Sequence, residues 1–153
     1  MIRAVKIVHS SLTSIVLLGG CSSYHPAQDT ARSFVDRFFV EANQHAALSM
    51  TEGPARAKVE EEIRLLADQP LSNAAERPRI FYRELSRTDE NDGVTFHFRL
   101  TVVVIGDAPI EPELIVRVRP RAGAWRVSNY DVLPPADARS ERRRSDGQWS
   151  PSV

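Results

Sequence analysis

From Val94 to Thr101 apolar and polar side chains alternate, and one parity, Val94, Phe96, Phe98, Leu100, Val102 and Val104, stays apolar through the twelve residues to Ile105. Thr95, His97, Arg99, Thr101, Val103 and Ile105 take the other. A period of two marks a strand with one face buried. A run about twice the usual strand length has to twist or bend within its sheet. Any fold of this chain must therefore provide a curved sheet with one dry face, and something broad to cover that face.

The cover lies upstream. Ala31, Phe34, Val35, Phe38, Phe39, Ala42 and Ala46 recur at intervals of three and four, which predicts a helix over about 30–50 with Asp29 as its cap. Such a helix would be ~31 Å long. Gly53-Pro54 predicts a break, because glycine accepts the left-handed conformation that ends helices and proline suits a first turn. A second helix follows, with Val59, Ile63 and Leu66 inward and Glu60, Glu61, Glu62 and Arg64 solvated. Residues 69–79, with Pro70 and Pro78, read as a loop. From there the period is two throughout. Strands are expected at 80–87, 94–105, 113–119 and 124–133, joined by 89–93 (DENDG), 106–112 and Pro120–Gly123, and closed by Pro134-Pro135. The fold class is α+β, with N-terminal helices on a curved antiparallel sheet of about four strands.

Arg3 and Lys6 precede a short apolar run, Leu12–Leu18, and then Gly19, Gly20 and the chain's single cysteine, Cys21. The run is too short to span a bilayer, which takes roughly 20 residues, and has the parts of a secretory leader. Leu18-Gly19-Gly20-Cys21 resembles the lipobox of bacterial lipoproteins. The resemblance implies cleavage before Cys21, a diacylglyceryl thioether on Cys21, and membrane attachment through that lipid. Ser22 in the next position implies the outer membrane, facing the periplasm. An ordinary leader followed by a free thiol is the alternative, but one cysteine cannot form an internal disulfide and would go unexplained in an exported chain.

Removing residues 1–20 from the 153-residue chain leaves 133, enough for one domain and short of two. The organisation expected is a leader (1–20), a lipidated tether (21–28), a folded domain (29–133) and a disordered polar tail (134–153). Basic and acidic residues number 20 each, and the leader takes Arg3 and Lys6 with it, so no nucleic-acid partner is expected. Arg142-Arg143-Arg144 in the tail could touch anionic lipid, although Glu141 and Asp146 flank it and a solvated tail is the simpler reading.

Two helices followed by a strand meander whose last member carries Gly123-Ala124-Trp125-Arg126-Val127 resemble the nuclear transport factor 2-like, or cystatin-like cone, domains. The resemblance covers roughly residues 28–133. It implies that the long first helix lies in the hollow of a bent sheet. Enzymes of this family place polar side chains in the hollow as acid, base or orienting groups.

This chain shows no nucleophile and base pair, metal-ligand spacing or phosphate loop in its sequence, so no catalytic residue, cofactor or metal is expected. His97 and Arg99 fall on the wrong parity to reach the hollow. Tyr82, Glu84, Asn129 and Asp131 are the residues that could approach its mouth. Arg99, Arg117, Arg119 and Arg126 share the outer parity of successive strands, together with Ile115, Ser128 and Tyr130. That face is the candidate docking surface for an envelope protein or a second copy. The function expected is a noncatalytic interaction domain, an accessory of an envelope assembly. A small enzyme or apolar-ligand binder using the cone cavity is the alternative.

Overall fold

The first helix starts earlier than the spacing predicts. In the computed structural model, which describes residues 25–67 and 77–135, α1 spans Pro26–Val35. The leader, Cys21, residues 68–76 and the tail from 136 onward lie outside the described residues. Pro26 occupies the first turn, where a missing N–H leaves nothing unsatisfied. Asp29 is not the cap. It lies inside the first turn, where its charge suits the positive end of the helix dipole.

Nor does the helix run on to residue 50. Asp36–Val40 is a π-helical turn, with the Glu41 N–H donating to the Asp36 carbonyl at 2.8 Å and Asn43 to Arg37 at 2.7 Å. The wider turn lets two adjacent rings, Phe38 and Phe39, both join the core. It also shifts the stripe, so Ala42, at φ 51°, is exposed, and Ala47 is fully buried in place of Ala46. Asn43 Oδ1 then accepts from the Ala46 N–H at 3.0 Å and caps a short helix α2, Gln44–Leu48. Gly53, at φ 51°, opens α3, Gly53–Ala67, which buries Ala55 and Val59.

Four antiparallel strands follow in the order β1-β2-β3-β4, namely β1 Arg79–Glu90, β2 Gly93–Val103, β3 Glu113–Arg121 and β4 Ala124–Leu133. β1 runs through most of the predicted loop, because Thr88, Asp89 and Glu90 pair with Thr95, Val94 and Gly93, leaving Asn91-Asp92 as a two-residue turn. β2 ends two residues early. Gly106, at φ 92°, turns the chain so that Ile110 bridges Val102, and Val104 and Ile105 stand out at 37% and 86% exposure. Ala122 (φ 47°) and Gly123 (φ 82°) make the last hairpin turn, both left-handed as a type I′ turn requires.

Val94, Phe96, Phe98 and Leu100 of β2 and Leu114, Val116 and Val118 of β3 are buried against α1 as their parity predicts. Two bulges bend the sheet, one between Glu84 and Ser86 on β1 and one opposite Arg117/Val118 on β4. The second corrects the predicted outer face. Ser128 is the extra residue, its hydroxyl donating to the Arg117 carbonyl at 3.2 Å. Because one inserted residue swaps the faces, Tyr130 points into the core at 7% exposure. The edge of β4 is partly covered, since Glu52 donates to the Val127 carbonyl (2.9 Å) and Val127 donates to that of Met50 (3.0 Å). The whole is an α+β cone, with helices in the hollow of a four-stranded sheet.

Gly93 marks the tightest approach in the sheet, where a Cβ would lie 2.3 Å from the Val118 carbonyl oxygen. Gly93→Ala is expected to lower unfolding free energy by about 1–3 kcal/mol. Urea denaturation reads it, and an unchanged midpoint would contradict the close packing of β2 on β3.

Candidate functional site

The hollow is occupied by aromatic rings. Phe34 stacks on Phe38 at 5.4 Å between centroids, and both tilt against Tyr130 at 5.1 and 5.2 Å. Phe39 meets Phe38 edge-on at 4.9 Å, and Phe96, Phe98 and Tyr82 continue the cluster across the sheet. Such contacts are favourable beyond simple burial. Each ring denies space to a substrate.

The four predicted mouth residues do not converge. Tyr82 and Glu84 belong to β1, Asn129 and Asp131 to β4, at opposite edges of the sheet. Glu84 is held by α1, accepting from Gln28 Nε2 at 2.8 Å and from Arg32 at 3.1 Å. Asn129 and Asp131 are held by α3 through Lys58, whose Nζ donates to Asn129 Oδ1 (3.0 Å), Asp131 Oδ1 (2.7 Å) and the Tyr130 carbonyl (2.5 Å). The same ammonium lies 5.3 Å from the centre of the Tyr130 ring. Sequence reasoning missed Lys58. It is the one cation between Arg56 and Arg64 on a helix face otherwise rich in glutamate, a signal that an acidic partner on the neighbouring strand would explain.

Burial, followed by a hydrogen bond to the Asp36 carboxylate, pushes the Tyr82 phenol up to about 12. Burial, followed by the nearby Glu62 and Asp131 charges, does the same for Tyr130. Neither phenol is poised to exchange a proton near neutrality. Among the described residues, no three His, Cys, Asp or Glu side chains are grouped to hold a metal. A shallow depression of about 230 Å³ lies between α2 and the end of α3, lined by Gln44, His45, Ile63, Leu66 and Ala67.

The outer face of the sheet carries the predicted arginines, and three of them meet carboxylates of the same chain. Arg117 contacts Glu90 and, at 3.4 Å, Asp92. Arg119 meets Asp92 at 2.8 Å and Arg99 meets Glu113 at 3.7 Å, while Arg126 donates to the Ser49 carbonyl. Toward the start of β1 the face differs. Phe81, 59% exposed, pairs with Thr101 between the Arg79–Val103 and Arg83–Arg99 pairs. Among the described residues no carboxylate pairs with Arg79 or Arg83. Sequence reasoning overlooked Phe81, although Ile80 and Tyr82 turn toward the helices and their parity sends Phe81 outward.

Both phenols ionise more easily in the unfolded chain, where a tyrosine titrates near 10. Their contribution to stability is therefore complete below about pH 10 and is lost as pH rises through about 12. Thermal melts between pH 9 and 12 are expected to fall steeply in the upper half of that range and less steeply for the double variant Tyr82→Phe/Tyr130→Phe. Equal slopes would contradict the raised values.

No family model matches the chain, and no curated protein matches it. Among solved structures, a designed nuclear transport factor 2-like protein, a substituted form of Rd1NTF2_05, is similar with a TM-score of 0.50 at 12% identity, covering 69% of this chain and 97% of its own. At that identity the likeness concerns architecture alone, and the architecture is that of a nuclear transport factor 2-like cone.

Proposed function

We propose that the chain is a lipoprotein of the bacterial envelope, anchored through Cys21 in the outer membrane and facing the periplasm. Its cone domain binds another protein without catalysis. Leu18-Gly19-Gly20-Cys21, behind a basic and apolar segment, supports the anchor. The rings of Phe34, Phe38 and Tyr130 in the hollow support a scaffold over a cavity enzyme.

The observation that carries the binding reading is Phe81. A ring 59% exposed, on an open sheet face between two arginines that meet no carboxylate among the described residues, combines the residue types that dominate interface energetics. Arg79 and Arg83 offer planar donors to an acidic rim. Phe81 offers the apolar centre.

Two measurements test this. Mass spectrometry of the mature amino terminus from envelope fractions is expected to find acylated Cys21, and an unmodified thiol would remove the anchor. A photo-crosslinker at Arg83 is expected to give a discrete adduct in cells, weakened about tenfold or more by Phe81→Ser. The melting temperature should change little, because Phe81 is outside the core. Undiminished adducts would contradict the docking face, and an adduct of twice the chain's mass would identify the partner as a second copy.

A further inference from the structure

The lipid anchor proposed above fixes more than an address, because the covalent path from Cys21 to the folded domain is short. Four residues, Ser22 to His25, separate the cysteine from α1. However they are arranged, they reach at most ~14 Å at 3.3–3.6 Å each. The start of α1 is itself pinned. Ala27 and Ala31 are fully buried, the His25 ring lies 6.1 Å from that of Trp125, and His25 Nε2 is 2.5 Å from Arg87 Nη2.

Trp125 is the second residue of β4 and Arg87 lies close to the end of β1. The start of α1 therefore sits at the end of the sheet that carries both two-residue turns, Asn91-Asp92 and Ala122-Gly123. The β2–β3 connection, with Ile105 at 86% exposure, lies at the other end of the eleven-residue β2, about 36 Å away at 3.3 Å per residue.

We propose that this hairpin end is a bilayer-contact surface, with Trp125 and Arg121 seated among phospholipid headgroups and the β2–β3 connection pointing away. The chemistry of the end fits that partner. Trp125 is half-buried and keeps a polar ring N–H, and indole rings favour the interfacial layer. Arg121 has its side chain 76% exposed, only loosely held by Glu52 at 3.6 Å, and its stem and head suit an apolar-to-phosphate boundary. The turn beside it, Ala122-Gly123-Ala124, is small and uncharged. The acids of the neighbouring hairpin are matched by cations, Asp89 by Arg87 and Asp92 by Arg119. In this pose the Phe81 face stands across the membrane normal, open to a periplasmic partner.

The mature chain, Cys21 to Val153, has one thiol and two tryptophans, Trp125 and Trp149, which makes the pose measurable. The chain is coupled through Cys21 to maleimide-headgroup lipid in phosphatidylcholine vesicles containing headgroup-proximal nitroxide lipid. With Trp149→Phe, Trp125 fluorescence is expected to fall about twofold on coupling, relative to the uncoupled protein with the same vesicles. A Gly/Ser spacer of about twenty residues after Ser22, with a mean reach of roughly 25 Å, is expected to restore it. A reporter at the far end, Ile105→Trp with Trp125→Phe and Trp149→Phe, is expected to stay unquenched, and Val104→Trp gives the same reading should that variant fold poorly. Unquenched Trp125, or equal quenching at position 105, would each overturn the pose. The coupling is chemical, so an unmodified Cys21 in cells would remove the anchor reading without altering the vesicle result.

Discussion

The contact of α1 and the π-helical turn that follows it with the hollow of the sheet, where Phe34 and Phe38 meet Tyr130, is the constraint on which the other features depend. It requires Ala27 and Ala31 on the same helix face as the rings, both fully buried, so that the backbone can approach the sheet. It also requires a wide turn after Val35, so that Phe38 and Phe39 reach the same cluster from adjacent positions. From the strand side it requires the bulge at Ser128, without which the Tyr130 ring would face solvent. A hollow closed in this way leaves its polar side chains at the two margins, where Glu84 ties β1 to α1 and Lys58 ties α3 to β4.

Much of this was legible in the sequence wherever a simple period held. Val94, Phe96, Phe98 and Leu100 are buried as alternation requires, as are Leu114, Val116 and Val118, and Gly53 breaks the helices where its conformational freedom suggests. Two of the misses share one physical cause. A π-helical turn and a β-bulge each insert a single residue, and a pattern read by period cannot register an insertion that tertiary packing selects. Thus the stripe predicted to continue through Ala42 and Ala46 moved to Ala47, and Tyr130 changed faces. The β1–β2 loop was misjudged for another reason. DENDG is rich in turn formers, yet Glu90 is recruited into the ladder, where its carboxylate accepts from Thr95 Oγ1 at 2.5 Å and from Arg117.

The candidate site was legible in part. Outward arginines follow from strand parity alone, but whether an arginine is spoken for depends on which acids the hairpins bring beside it. Asp92, in a turn, answers Arg119; Arg79 and Arg83, at the opposite end of β1 from that hairpin, meet no such acid among the described residues. The proposed division of labour follows from this asymmetry. The charge-matched hairpin end, close to the cysteine in covalent distance, suits a headgroup layer, while the unmatched face around Phe81 suits a protein.

That division assumes a hollow filled by its own side chains, and cavity formation measures this most directly. Phe34→Ala is expected to cost about 3–5 kcal/mol in chemical denaturation and to leave a cavity that takes up benzene, raising the melting temperature of the variant but not of the parent chain. A parent chain already stabilised by benzene, with a Phe34→Ala cost below about 1 kcal/mol, would show an open hollow and contradict the account.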